Sequence, residues 1–516
     1  MAYLLGIDVS TTATKALVID ERGEVSAAAS AHYNFVTPRP LWAEQDPADW
    51  WRACVDVLRR VLEKIPANEI AGLGLTGQMH GLVTMDADGN VLRPCILWND
   101  QRTAKQCAEI TERVGGAKSV LQLIGNPVLP GFTAPKILWV REQEPDVYAR
   151  VAHILLPKDY VRYKLTGAYA TEPSDASGMA LLDVAKRNWS DEMLKAIDIP
   201  RAWLPDVYES PVVSAKISAG AARETGLLQG TPVVGGGGDQ AAQAVGTGIV
   251  QEGIVSTTLG TSGVVFASSD SYRLEPNGLL HAFCHAAPNK WHLMGVMLSA
   301  AGSLRWFRDA LGQDEIREAR DAKEQRDEKR EVYEILIEEA ARVKAGCEGL
   351  IFLPYLTGER TPYPDPHARA AFFGITLRHG KEHFVRAVLE GVAYGLCDAL
   401  ELMRALGLNI SQVRASGGGA RSALWRQILA DVFDSEIALV NITEGAAFGA
   451  ALLAGVGAGV YASVEDACAQ TIRVTDAVIQ GENVKVYEEY YKVYRGLYPA
   501  LKDSYEKVGA IAEREV

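Results

Sequence analysis

Residues 233–263 read VVGGGGDQAAQAVGTGIVQEGIVSTTLGTSG, and no other stretch restricts the fold as much. An apolar run ends in four glycines and Asp239, a small-residue helix follows, and a second apolar run ends in Gly260, Thr261, Ser262 and Gly263. Each half is a strand that delivers a turn, the habit of an α/β protein. Glycines at such turns let the backbone approach a ligand with its N–H groups exposed. Thr261 and Ser262 add hydroxyl donors, a set suited to a polyphosphate. Asp239 stands where a carboxylate could meet the acceptor of that phosphate. It also fits the N-cap of a helix over residues 240–245, and both readings stay open on this stretch alone.

Rival glycine motifs do not fit. Gly236, Gly238 and Ala241 satisfy G-x-G-x-x-A after a strand, but the acidic residue expected about twenty positions on is missing, since the chain there reads Thr258-Leu259-Gly260-Thr261-Ser262. A dinucleotide site would lack its ribose anchor. No G-x-x-x-x-G-K-[ST] occurs, which excludes a P-loop.

The chain is long enough, at 516 residues, for two or more domains, and 48% apolar content supplies their cores. A net charge of −13 provides no basic field for nucleic acid or an anionic membrane. Its seven cysteines are odd in number and form no C-x-x-C pair, as in reduced cytosolic proteins. The start MAYLLGID has no basic leader, and the glycine- and alanine-rich residues 445–463 suit a buried helix and its loop better than a membrane span. The expected location is cytoplasmic.

Taken in order, residues 3–8 form an apolar strand, Ser10-Thr11-Thr12-Ala13-Thr14 a turn, and Lys15 starts the returning strand. This strand, hydroxyl turn and strand match residues 254–266, which suggests an internal duplication, with an aspartate near each turn (Asp8, Asp239). Asp46-Pro47 opens a helix whose apolar stripe is Trp51, Val55, Leu58 and Leu62. The strand at residues 70–75 ends in Thr76-Gly77-Gln78-Met79-His80-Gly81, polar side chains presented between glycines. Residues 156–178 give a helix and then a Ser-, Asp- and Thr-rich segment that reads as a capped surface loop. The charged run 314–342 reads as a solvated helical excursion. Residues 413–421 deliver Gly417, Gly418 and Gly419 to what reads as a helix N-terminus suited to an anion or a flat base. The domain boundary is expected near residues 245–253, giving an N-terminal domain over residues 1–248 and a C-terminal domain over 249–516.

Together the segments IDVSTTATK, LWAEQDP, GLTGQMHG, ILWNDQRT, LPKDY, SDASG, GGGGDQAAQAVG, TLGTSG, LPYLTGERTP, RAVLEGVAYG and SGGGAR resemble the FGGY family of carbohydrate kinases, and its D-xylulose-phosphorylating members most closely. The resemblance runs from Ile7 to about Gly455 and rests on order as well as content. It implies two ribonuclease H-like domains of the actin-like ATPase type with the active site in an interdomain cleft. It further implies ATP and Mg²⁺, transfer to the terminal hydroxyl of D-xylulose to give D-xylulose 5-phosphate, and Asp239 as general base. Asp8 and Asp239 would face the metal. Thr11, Thr12 and Lys15 from the first domain and Gly260, Thr261 and Ser262 from the second would face the phosphates, with Gly417, Gly418 and Gly419 along the adenosine. The sugar would meet Gln78, Met79, His80, Asp239 and Gln240, with Asp100 a lesser candidate. Gln240 departs from the Asn that many of those kinases carry, and the 314–342 run is longer than the family requires. Other acceptors, such as ribulose or glycerol, and a non-catalytic actin-like ATPase module are the alternatives. The expected partners are small molecules, and a homodimer is an open option that no residue pattern marks.

Overall fold

The computed structural model describes residues 2–326 and 331–512. The chain forms two compact α/β units, each discontinuous in sequence: Met1–Gln251 with Ser268–His292 and Asn441–Arg473, and Glu252–Ala267 with Leu293–Val440 and Val474–Val516. Each carries a mixed sheet covered by helices.

In the first unit, Tyr3–Val9, Ala13–Ile19 and Val25–His32 form an antiparallel meander. Tyr3–Val9 also runs parallel to Ile70–Gly77, beyond which lie Pro232–Val234 and Val213–Lys216. Both sheet faces are apolar because helices cover both. One face packs on the Pro47–Leu62 helix, which Asp46 caps by accepting from the Ala48 N–H. The stripe that this helix buries is Trp50, Cys54, Val57 and Val61, flanked by Trp51 and Leu58, while Val55 and Leu62 lie at its margin. The sequence stripe was thus rotated by about one residue, an offset that adjacent apolar positions around a helix readily allow.

The other face takes the helices Asp239–Gly246 and Gly445–Gly457. Their approach is close enough that side chains are excluded. A Cβ on Gly6 would lie 1.9 Å from the Ala447 carbonyl oxygen, and one on Gly74 would lie 2.0 Å from that of Ala450. Residues 445–457 are therefore a buried helix, as their composition suggested. Among the described residues no helix is long and apolar enough to cross a membrane.

The second unit repeats the pattern. Ile254–Leu259 pairs antiparallel with Gly263–Ser269 and parallel with Gln412–Ser416, which is followed by Glu436–Val440 in parallel and Val474–Val478 in antiparallel. Helices Lys381–Ala405, Ala423–Phe433 and Val484–Ala512 complete it. The charged run folds as Gln313–Arg326 and Val332–Ala341, and its residues 327–330 lie outside the described ones. Ile335, Leu336 and Ala340 are buried, so the second of these helices is anchored by an apolar face that charge density alone concealed.

Candidate active site

Strand register assembles the first unit's site. Asp8 lies opposite Lys15 on one side and opposite Thr76 on the other, and Thr76 pairs in turn with Gly237. Asp8 and the Asp239 that follows Gly238 therefore emerge at the same edge, beyond the carboxyl ends of parallel strands, where open α/β sheets place ligands. Gly238 is the N-cap and Asp239 the first helical residue, so Asp239 does not cap its helix. The turn before it needs glycine, because Gly236 has φ +73° and a Cβ there would sit 2.0 Å from the Leu75 carbonyl oxygen.

Both carboxyls are half-buried and hold protons more tightly than usual. Burial pushes Asp239 up to about 6, opposed by hydrogen bonds from the backbone and side chain of Gln240. Burial and the charge of Asp239 push Asp8 up to about 7, with Lys15 opposing and Glu444 adding to the rise. The repulsion falls on Asp8 because the group that ionises second meets a neighbour already charged. Lys15 is ion-paired with Glu444, a partner that nothing in the local sequence indicated. Asp8 Oδ1 is buried with no hydrogen-bond partner.

That orphaned oxygen fits a cation. Among the described residues no group of three or more His, Cys, Asp or Glu side chains forms a metal cage. A pair of carboxylates is nonetheless the usual protein share of a Mg²⁺ site whose other ligands are water and phosphate.

At the hairpin tip Thr12 is exposed and Thr11 partly so. The tip is held from outside, since Trp98 Nε1 donates to Thr11 Oγ1 (3.0 Å) and Gln45 Nε2 donates to the Thr11 carbonyl (3.0 Å). Gln45 also accepts from Trp50 Nε1 (2.7 Å) and Gln78 Nε2 (3.1 Å), which leaves the buried Gln78 Oε1 without a partner.

The Gln78, Met79 and His80 loop lies against the same turn as Asp239. A Cβ on Gly238 would meet Met79 Sδ at 3.0 Å. His80 takes a left-handed backbone, φ +70°, uncommon for a residue with a side chain and costing about 1–3 kcal/mol. Its Nδ1 lies 2.8 Å from the Gly178 carbonyl. Only the Nδ1–H tautomer can donate there, which makes Nε2 an acceptor in the neutral ring. Asp100 is committed elsewhere. It is fully buried and accepts from the Ala43 N–H and the Arg102 guanidinium, so it holds the loop and has no lone pair aimed at a sugar.

Residues 156–178 correct the sequence expectation. Lys158, Asp159, Arg162, Glu172 and Asp175 are fully buried, with Lys158 Nζ 2.7 Å from Asp159 and 3.0 Å from Asp175. The helix Pro157–Thr166 and the segment after it fold inward because each charge finds an opposite charge, which composition cannot show. Burial nonetheless raises the Asp175 carboxyl well above the usual range, against the pull of Lys158.

In the second unit the parallel register of Thr258 with Ser416 brings two glycine turns to one sheet edge. In the first, the Gly260 carbonyl accepts from the Ala301 N–H, and the Thr261 carbonyl accepts from Ala300 and Gly302. A trans peptide sets N–H opposite C=O, so the N–H groups of Thr261 and Ser262 point away from the Ala301–Leu311 helix, and both residues are exposed. In the second turn Gly417 has φ +87°, and a Cβ there would sit 2.7 Å from the Leu259 carbonyl oxygen. Gly418 is open, with nothing within 4 Å of a Cβ, whereas Gly419 is packed against Leu259 and Trp425. These glycines do not start a helix. A short 3₁₀ turn, Gly419–Arg421, intervenes, and Ser422 caps Ala423–Phe433. Anion binding by that helix's N-terminus is therefore not what the glycines provide.

Comparison with known proteins gives the family. Residues 3–246 match the N-terminal domain of the FGGY family of carbohydrate kinases and residues 255–458 its C-terminal domain. The chain is 40% identical to the xylulose kinase of Escherichia coli (strain K12), covering 96% of this chain and 99% of that one. It is 36% identical to the xylulose kinase of Bacillus subtilis (strain 168), covering 98% of each. The crystal structure of a xyloylose kinase from Brucella ovis superposes with a TM-score of 0.89 at 38% identity, covering 97% and 99%. By the match of both domain models and by these full-length relatives, the chain belongs to the FGGY family of carbohydrate kinases.

Proposed function

We propose that this chain is an ATP-dependent kinase that converts D-xylulose to D-xylulose 5-phosphate, with Asp239 as general base. The observation that carries the reading is the shared edge of Asp239, Asp8 and the Gln78, Met79 and His80 loop. Full-length relatives named xylulose kinase support the choice of sugar. A general base works best when its pKa lies near the operating pH, and burial pushes Asp239 up to about 6.

In this reading the terminal hydroxyl oxygen of the sugar attacks the γ-phosphorus, the bond from that phosphorus to the β-bridging oxygen breaks, and the hydroxyl proton passes to Asp239. Gln78, His80 and Gln240 hydrogen-bond the sugar, and Met79 packs on its carbon skeleton. Thr11, Thr12 and Lys15, and the turn of Gly260, Thr261 and Ser262, donate to phosphate oxygens, while Gly417, Gly418 and Gly419 leave room for the adenosine. Mg²⁺ would be held by Asp8 and Asp239 and would supply charge neutralisation to the transferring group. The sugar contacts thus come from residues 1–248, the phosphate contacts from both residues 1–248 and residues 249–516, and the adenosine contacts from residues 249–516, in a cytoplasmic enzyme.

ADP release measured with each of a panel of sugars, with the mass and phosphate position of the product determined, tests the assignment. D-xylulose is expected to give the highest kcat/KM and no turnover in excess chelator. A better ribulose, glycerol or gluconate substrate overturns the choice of sugar, and ADP release independent of any sugar overturns the kinase reading.

A further inference from the structure

His80 is the residue of the sugar loop whose backbone conformation costs most to hold, and it is gripped from two sides. From one side Thr133 Oγ1 and Lys136 Nζ both donate to the His80 carbonyl, at 3.0 and 2.9 Å. Lys136 also donates to the Gly131 carbonyl (2.7 Å), and Phe132 sets its ring against the imidazole with centroids 4.9 Å apart. From the other side the Gly178 carbonyl meets Nδ1, at a position where any Cβ would fall 2.1 Å from that nitrogen.

Thr133 and Lys136 are fully buried. Among the described residues Lys136 forms no ion pair, so its ammonium is directed at carbonyls alone. Burial pushes it down to about 7, with Cys95 and Asp100 opposing. A lysine in that setting is an expensive way to fill space, and an apolar side chain of similar length would do so at less cost. One of its donors ends on the carbonyl of the one left-handed residue in the loop. A peptide plane held by two donors fixes the ψ of its residue, and hence the direction in which the side chain leaves.

We propose that Thr133 and Lys136 are positioning residues for sugar recognition: by clamping the His80 carbonyl they keep His80 in its left-handed conformation and so fix where its imidazole acceptor meets a substrate hydroxyl. The proposal rests on the assignment of His80 to the sugar. Neither residue touches substrate in this account, and neither would be found by searching for ligand-contacting side chains.

Thr133→Val removes one donor at constant shape, Thr133→Ser retains it, and Lys136→Met removes the other. Thr133→Val is expected to raise the KM for D-xylulose about three- to tenfold, the usual worth of one hydrogen bond. The KM for ATP and the Tm should be little changed, Thr133→Ser should restore the wild-type value, and Lys136→Met should act in the same direction. In a His80→Ala background Thr133→Val should have no further effect on the xylulose KM, because the imidazole that the clamp positions is gone. A Thr133→Val variant that shifts both KM values together with a lowered Tm makes the contact merely structural and overturns the proposal. So does an undiminished effect in the His80→Ala background. If His80→Ala alone leaves the xylulose KM unchanged, the sugar assignment itself falls and the clamp's role with it. If His80→Ala raises that KM and Thr133→Val does not, only the clamp falls.

Discussion

The two units carry topologically matching strand edges with opposite construction. In the first, the edge is furnished by side chains: Asp8, Asp239, Gln78 and His80 are at least half-buried, and Gln78 and His80 are held by Gln45 and Lys136, residues far away in sequence. In the second, the edge is furnished by backbone: Thr261, Ser262, Gly417 and Gly418 are exposed, and what is fixed is the direction of peptide planes. Discriminating one sugar from another requires hydroxyls to be counted by rigid polar groups, and a polar group left unpaired by the wrong substrate is penalised heavily. Gripping a polyphosphate requires only N–H donors at close range, which any glycine turn provides. In the proposed assignment the fold is thus used twice, once through side-chain networks and once through removal of side chains.

The sharpest test of this contrast is Asp239→Asn, which preserves shape and removes the base. Turnover should fall by about a hundred- to ten-thousand-fold, with D-xylulose affinity by calorimetry largely kept. Near-normal kcat would remove Asp239 from its role. His80→Ala should come next, lowering kcat/KM for D-xylulose by about tenfold or more and narrowing its preference over D-ribulose. An unchanged ratio between the two sugars would mean that His80 serves only the loop.

The backbone edge is probed by a pair of glycines. Gly417→Ala forces a Cβ toward the Leu259 carbonyl at positive φ and should cost about 1–2 kcal/mol of stability. Gly418→Ala meets nothing and should leave Tm unchanged, so a larger side chain at Gly418 that raises the ATP KM does so through the nucleotide. A rise in the sugar KM instead would assign the turn wrongly.

The smallest effect concerns pH. The folded-state pKa of Asp239 is raised, so its protonated carboxyl favours the fold below about pH 4, and that contribution is lost as pH rises through about 6. Without ligand, Asp239→Asn should therefore be more stable than the parent at pH 8, by about 1–2 kcal/mol once part exposure is discounted, and nearly equal to it at pH 4. Equal Tm differences at both pH values would show that the carboxyl is not desolvated.

What the sequence determined by itself is what glycine and short-range pattern encode. The turns at residues 235–238, 260–263 and 417–419, the duplicated hairpins and the Asp46 cap are local events, in which each residue's own φ or nearest neighbours decide the outcome. What only tertiary structure decided is which polar groups face one another. Residues 156–178 look like a surface loop until Lys158 meets Asp159 and Asp175, Asp100 looks available until Arg102 takes it, and Lys15 gains Glu444 from 429 positions away. The compact units draw residues from several separate stretches for the same reason. A charge is neutralised by whichever opposite charge the packing brings near, and proximity in space leaves no period or motif along the chain.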